Sequence, residues 1–295
     1  MTLRYLPLVV LWLCAAIQYF WLTPLLERLP SDYAEETSFA ATSSFRERPD
    51  GTFQHSILTA RRVDQTLVSS ATHSIIQGDI HWTNSEGIVE FENTGIYGVD
   101  RHTKKNLPGY GDTARTGPFL FPLHTEPKSV QYWDPLYVGS RQATFDRAEI
   151  LDGLPVYVFH FTAQNMDETA GYSHLPDVPE RYRVRTDGAG WMWIEPSSGT
   201  MVDYAEQGIS QFVDPVTGKP IADLYHWADR YTPETKSFKI KQAKAARLRI
   251  GILEMWLPLA LFAAGLLTLL IGWKTRNHPD TQANSRLSAV AGDQS

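Results

Sequence analysis

"VRTDGAGWMWIEPSSGTMVDY", residues 184–204, sets β-branched and aromatic residues beside polar ones and is punctuated by Asp187-Gly188 and Ser197-Ser198-Gly199. Short runs of this composition bounded by such punctuation read as strands and turns. The stretch is expected to form three antiparallel strands joined by two glycine-bearing turns. Working outward, "TFQHSILTARRV", "QTLVSSATHSIIQGDIHW", "GIVEFENTGIYGVDR", "PVYVFHFTAQ" and "ERYRVRT" share its texture, with further turn signals at residues 84–87 and 152–153. In "ERYRVRT", Arg181, Arg183 and Arg185 alternate with Tyr182, Val184 and Thr186, as in a sheet with one wet side. No helical period of convincing length precedes Glu234.

The chain has 295 residues and is 43% apolar, and much of that apolar content sits in two end segments. Residues 5–26 are 22 residues without a charge; residues 250–273 are 24 residues with one, Glu254. At about 1.5 Å rise per residue, each is long enough to cross a hydrocarbon core of about 30 Å. The first is expected to be an uncleaved signal anchor. Its apolar run exceeds that of a signal peptide, and its small cluster Cys14-Ala15-Ala16 lies in mid-run. Cys14 is the single cysteine, which excludes an internal disulfide and leaves the redox compartment open.

The predicted fold class is therefore mainly β: an antiparallel β-rich domain, a sandwich or curled sheet, flanked by an N-terminal and a C-terminal transmembrane helix. Expected boundaries are 1–4 for the N-terminus, 5–26 for the first membrane helix and 27–50 for a polar stalk. Residues 51–235 are expected to form the β-domain, 236–249 a basic juxtamembrane helix, 250–273 the second membrane helix and 274–295 a polar, disordered tail. Ala15, Ala16, Ala260, Ala263, Ala264 and Gly265 are expected to let the two membrane helices pack closely.

The basic helix carries Lys236, Lys239, Lys241, Lys244, Arg247 and Arg249 without an acid before Glu254. Phe238, Ala245, Leu248 and Ile252 fall on one face, with the cations around the rest. Lys239, Lys241, Lys244, Arg247 and Arg249 are candidate membrane-surface contacts for anionic headgroups; a solvated rigid stalk is the plainer alternative. These cations end a long connection, where charge has a weak vote on orientation. A weak internal echo joins "VDRHTKKNLPGYG" to "VDPVTGKPIADLY": each places Thr and a cation after Val-Asp, as a turn leaving a strand would.

Chemistry is less legible. The nine histidines form no HxH, HExxH or Cys-His set. His81 with Glu86, Glu90 and Glu92 reads as solvated strand charge, since metal sites need convergent ligands. "GYGD" at residues 109–112 is too short for a phosphate loop, and there is no GxSxG. No catalytic, metal or cofactor site is expected. The sharpest cluster is Tyr132-Trp133-Asp134, readable as an aromatic site for a sugar or lipid headgroup, or as a packed pair beside an Asp-Pro turn. Trp191 and Trp193 share a strand face and are expected to build core.

The order of end anchors, "GVDRHTKK", "GPFLFPLHTEPKSVQYWDP", "LDGLPVYVFHF" and "GWMWIEPSSGTMVDY" resembles the porin PorA family, envelope proteins of actinobacterial type long catalogued as a domain of unknown function. The resemblance implies a membrane-anchored protein with its middle domain outside and both termini in the cytoplasm. The charged middle strands do not supply the lipid-facing apolar row of a membrane β-barrel. The leading expectation is a non-enzymatic envelope protein whose β-domain binds a partner, lipid or wall component. The alternatives are a subunit of an oligomeric pore or transporter, with Gln18, Thr23, Glu254 and Thr268 as its polar helix residues, and a hydrolase with an unrecognised site. Expected partners are the lipid bilayer, anionic headgroups, a lipid or wall component or an envelope protein, and no nucleic acid.

Overall fold

The computed structural model describes residues 6–134 and 139–277. They divide into two compact units, one drawn from Met1–Glu27 and Leu248–Ser295, the other being Arg28–Arg247.

In the first unit, helix α1 (Leu6–Ile17) passes through a π-helical turn at Gln18–Leu22 into the short helix α2 (Thr23–Leu26). Across from it, a second π-helical turn at Ile252–Trp256 leads into helix α4 (Leu257–Asn277). Two helices, Leu8–Leu26 and Pro233–Ile271, are long and apolar enough to cross a membrane. The seam of the pair comes from Leu8, Leu11, Ala15 and Gln18, spaced by three and four, and Gly265 opposite. A Cβ on Gly265 would come within 2.6 Å of Trp12 Nε1 and 3.2 Å of Leu8. Trp12 and Phe262 stack with ring centroids 5.2 Å apart. Ala15 and Gly265 thus serve the close approach, whereas Ala16, Ala260, Ala263 and Ala264 are exposed in this unit.

The second unit is an antiparallel curled sheet. Its strands are β1 (Ala34–Phe45), β2 (Gln54–Ser69), β3 (His73–Asn84), β4 (Val89–Asp100), β5 (Val130–Asp134), β6 (Gly139–Leu151), β7 (Leu154–Asp167), β8 (Arg183–Glu195), β9 (Thr200–Val213) and β10 (Pro220–Tyr231). Among the described residues they run in the order β4-β3-β2-β1-β10-β9-β8-β7-β6-β5. This is two meanders closed against each other by β1 and β10. Because that pair is antiparallel, with Phe39 opposite Tyr231, the chain enters and leaves the sheet side by side at one end.

One rung shows how the core is made. Trp82, Ala60, Phe39 and Tyr231 lie opposite one another across β3, β2, β1 and β10. Tyr204, Met192, Phe159 and Phe145 continue the rung across β9 to β6. Period-2 alternation puts all of them on one face, and the curl brings them together with Phe121 and Tyr132. The inner face is filled here by aromatic rings. On the outer face, Leu154, Val156 and Val202 pack with Ile240 and Ala243 of helix α3 (Pro233–Gly251), beside Trp193.

Several expectations change. Residues 27–50, expected as a polar stalk, contain β1, a central strand paired on both sides. Its Thr37, Phe39 and Ala41 are buried while Glu36 faces outward to Arg61, so small and polar residues hide the alternation. The turns at 84–87, 152–153 and 197–199 form. Residues 187–190 do not turn: they stay in β8, leaving residues 184–204 as two strands with one turn. Gly190 is there because a Cβ would strike the Phe161 ring, the close approach that a glycine within a strand signals. Trp191 and Trp193 do share a face, but it is the one opposite the aromatic core, which takes Met192 and Ile194.

The Val-Asp echo is a shared turn. Asp100 Oδ1 accepts from the backbone N–H of His102 and Thr103 and from the Thr103 hydroxyl. Asp214 Oδ1 accepts in the same way from Val216 N–H, Thr217 N–H and the Thr217 hydroxyl. Each closes a strand-leaving loop with a left-handed residue, Lys104 or Gly218.

Candidate binding site

Helix α3 starts because Thr232 caps it: the Thr235 N–H donates to Thr232 Oγ1 at 3.2 Å, and Pro233 takes the first helical position. Its basic residues then meet acceptors on the sheet. Lys236 pairs with Asp203 at 2.6 Å, Lys244 Nζ donates to Asp152 O at 2.8 Å, and Arg247 reaches Glu195 at 2.8 Å. Lys239 pairs with Glu35. The docked face is thus Lys236, Lys239, Ile240, Ala243 and Arg247, at helical spacing. Phe238 and Leu248, expected on the apolar face, are instead 59% and 65% exposed. Of the candidate membrane-surface cations, Lys239 is buried, Lys244 and Arg247 are tied to the sheet, and Lys241 and Arg249 are exposed.

Glu195 is fully buried at the end of β8. It accepts from the N–H groups of Ser197 and Ser198, the Ser198 hydroxyl and Arg247. Burial opposes its charge, but these donors, led by Ser198, hold its carboxyl below the usual range.

The inner face of β1 to β4 is different in kind. Next to the aromatic rung, Glu35, Asp64, Gly78 and Gly95 lie opposite one another on successive strands. The two glycines leave a hollow that large polar side chains occupy. A Cβ on Gly78 would lie 2.6 Å from Asp64 Oδ1, and one on Gly95 would lie 2.9 Å from the Arg115 guanidinium and the Tyr97 ring. Arg62 grips Asp64 through two hydrogen bonds, Nε to Oδ2 at 2.7 Å and Nη2 to Oδ1 at 2.6 Å. Arg115, from the β4–β5 connection, pairs with Asp112 and donates to Ile96 O at 2.6 Å. Tyr97 is the hub: Arg115 lies 4.1 Å and Arg62 5.4 Å from its ring centre. Arg115 also lies 5.3 Å from the Trp133 ring. Tyr33 donates to Glu35 at 2.7 Å, and the buried Tyr33 hydroxyl is pushed well above its ordinary pKa, by burial first and Glu35 next. Burial works against the charge on Arg62 and Asp64 more than offsets it.

The three sequence candidates divide. Tyr132 is buried in the aromatic core, with Phe121 and Phe161 as ring neighbours. Trp133 points to the other cluster, among Tyr97, Tyr33 and Phe119. Asp134 ends β5, and its side chain lies outside the described part. Arg62, Asp64 and Arg115 were missed, and nothing in the local sequence marks Arg115. Charged residues at inward positions of a strand, as Arg62 and Asp64 are, were the available signal.

His81 and Glu92 are register partners, their nearest atoms 3.7 Å apart on exposed side chains. Among the described residues, no group of three or more His, Cys, Asp or Glu is placed to hold a metal.

The family model for porin PorA matches residues 8–273, nearly the whole chain. The chain belongs to the porin PorA family. The match spans both units of this PorA family protein. No functionally curated protein matches it. Among solved structures, a DUF1329 family protein from Desulfovibrio piger ATCC 29098 is 9% identical, with a TM-score of 0.17, covering 77% of this chain and 92% of that one. A LolA superfamily protein from Nitrosomonas europaea is 11% identical, with a TM-score of 0.15, covering 72% and 90%. At such scores neither likeness bears on function.

Proposed function

We propose that this PorA family protein is a non-enzymatic, two-pass membrane protein of the cell envelope whose extracytoplasmic sheet binds a partner, lipid or wall component. Both termini are cytoplasmic in this reading. The observation that carries it is the Phe39–Tyr231 register, which brings the sheet's entry and exit to one end, as two anchors in a single bilayer require. The charge-lined inner face of β1 to β4 supplies the binding surface. Lys241 and Arg249 are the cations of α3 left to meet headgroups.

Two further observations favour binding over a pore. Among the described residues, β4 and β5 end the sheet without pairing with each other, whereas a membrane barrel leaves no open edge. The polar helix residues a pore would use are engaged within the chain: Gln18 Nε2 donates to Thr23 Oγ1 and to Leu253 O, each at 2.7 Å, and Thr268 donates to Gly265 O at 2.7 Å.

Protease added to cells with a permeabilised outer layer tests the topology. Cleavage within residues 27–235 with survival of tags fused at both ends is expected. A protected sheet domain with digested tags overturns the reading.

A further inference from the structure

The polar hollow on β2 to β4 has an imbalance of donors. Its charges cancel: Glu35 with Lys239, Asp64 with Arg62, Asp112 with Arg115. Its hydrogen bonds do not. Arg62 Nη1, Arg115 Nε and Trp133 Nε1 are buried and have no acceptor among the described residues. Arg62 and Arg115 are only 7% and 6% exposed, so bulk water does not supply one. Buried donors left unmade are costly, and arginine N–H groups the more so, so three around one tyrosine ring call for an occupant.

The chemistry of the three donors narrows the occupant. Two belong to cations and one to an indole, so an acceptor with negative charge satisfies all three. They come from β2, the β4–β5 connection and β5, three separate stretches of chain. A planar carboxylate offers two oxygens, whereas a free phosphate or a phosphomonoester presents three terminal acceptors in different directions. The Gly78–Gly95 pair keeps the floor of the hollow free of Cβ atoms, which would collide with Asp64, Arg115 and Tyr97. Asp112, the carboxylate partner of Arg115, has 39% of its side chain exposed, whereas Arg115 itself is buried.

We propose that Arg62, Arg115 and Trp133 form a binding site for a phosphate group, carried either on a lipid headgroup or on a free phosphate. The site rests on the binding reading above and names the ligand chemistry of the same inner face. Arg62 and Arg115 keep their Asp partners and add one N–H each; Trp133 adds the third.

The test is calorimetric titration of the full-length protein in dodecyl maltoside micelles. One arm uses inorganic phosphate and the other monomeric dihexanoylphosphatidic acid, a phosphomonoester that keeps three terminal oxygens. Binding in either arm is expected, and the arm that binds identifies the source. Arg115→Gln should weaken it about 10-fold or more, the worth of one hydrogen bond to a charged group. Trp133→Phe keeps an aromatic side chain and removes the indole N–H; it should weaken binding several-fold. Absence of binding in both arms, or equal affinity in parent and Trp133→Phe, overturns the proposal. The topology experiment is indifferent to this result, so loss of the phosphate site leaves the anchored-receptor reading standing.

Discussion

Lys239 and Glu35 are 204 residues apart in the chain and form an ion pair with 5% and 14% of their side chains exposed. The pair joins helix α3 to the first residues of the central strand β1. Removing one partner of a buried pair leaves the other uncompensated, at about 3–5 kcal/mol. Lys239→Met and Glu35→Gln should each lower stability by that order in chemical unfolding of the full-length protein. The double variant should recover part of the loss, because no lone charge remains. Additive losses would mean the two residues act separately.

Acid should weaken the sheet unit through two carboxylates. Burial opposes charge on Glu35, but Lys239 outweighs it, and the folded pKa lies below the ordinary 4.5; Glu195 is lowered likewise. Groups with depressed folded pKa values contribute stability above the unfolded value and lose it as pH falls towards the folded one. Stability should therefore be flat between pH 7 and 5 and fall below about 4.5. In Glu195→Gln the slope of that fall should be smaller, as read by near-ultraviolet circular dichroism. An unchanged slope would count against the role of Glu195.

Gly190 gives way to the Phe161 ring. Gly190→Ala should cost about 1–3 kcal/mol, the range of overpacking. Combining it with Phe161→Leu should cost less than the sum of the two single changes, since the ring that objects is gone. Unfolding midpoints of the three variants decide it.

In the helical unit, Gly265 sits against Trp12 and Leu8, and Gln18 bonds across to Leu253. Gly265→Leu should lower disulfide cross-linking between cysteines placed along α1 and α4 in membranes, whereas Ala264→Leu should leave it unchanged. Gln18→Leu should weaken the pair by about 0.6–2 kcal/mol, the worth of an interhelical hydrogen bond in a bilayer. Equal cross-linking for Gly265→Leu and the parent would refute the seam.

The sequence by itself determined the pieces whose signal is local: two long apolar spans, strand texture in β2, β3, β4, β7, β8 and β9, the turns at 84–87, 152–153 and 197–199, and a helix after Glu234. Length, period-2 alternation and turn chemistry act over a few neighbouring residues and can be read from them. Tertiary structure alone decided the rest. It drew β1 out of a Ser- and Thr-rich segment, because β2 and β10 offer backbone partners on both sides. It turned Phe238 and Leu248 of α3 outward, because Glu35, Asp203 and Glu195 draw the basic side to the sheet. It also set Arg62, Arg115 and Trp133 around Tyr97, by a strand register that places Gly78 opposite Gly95. Such pairings depend on contacts between residues far apart in the chain, which no local period encodes.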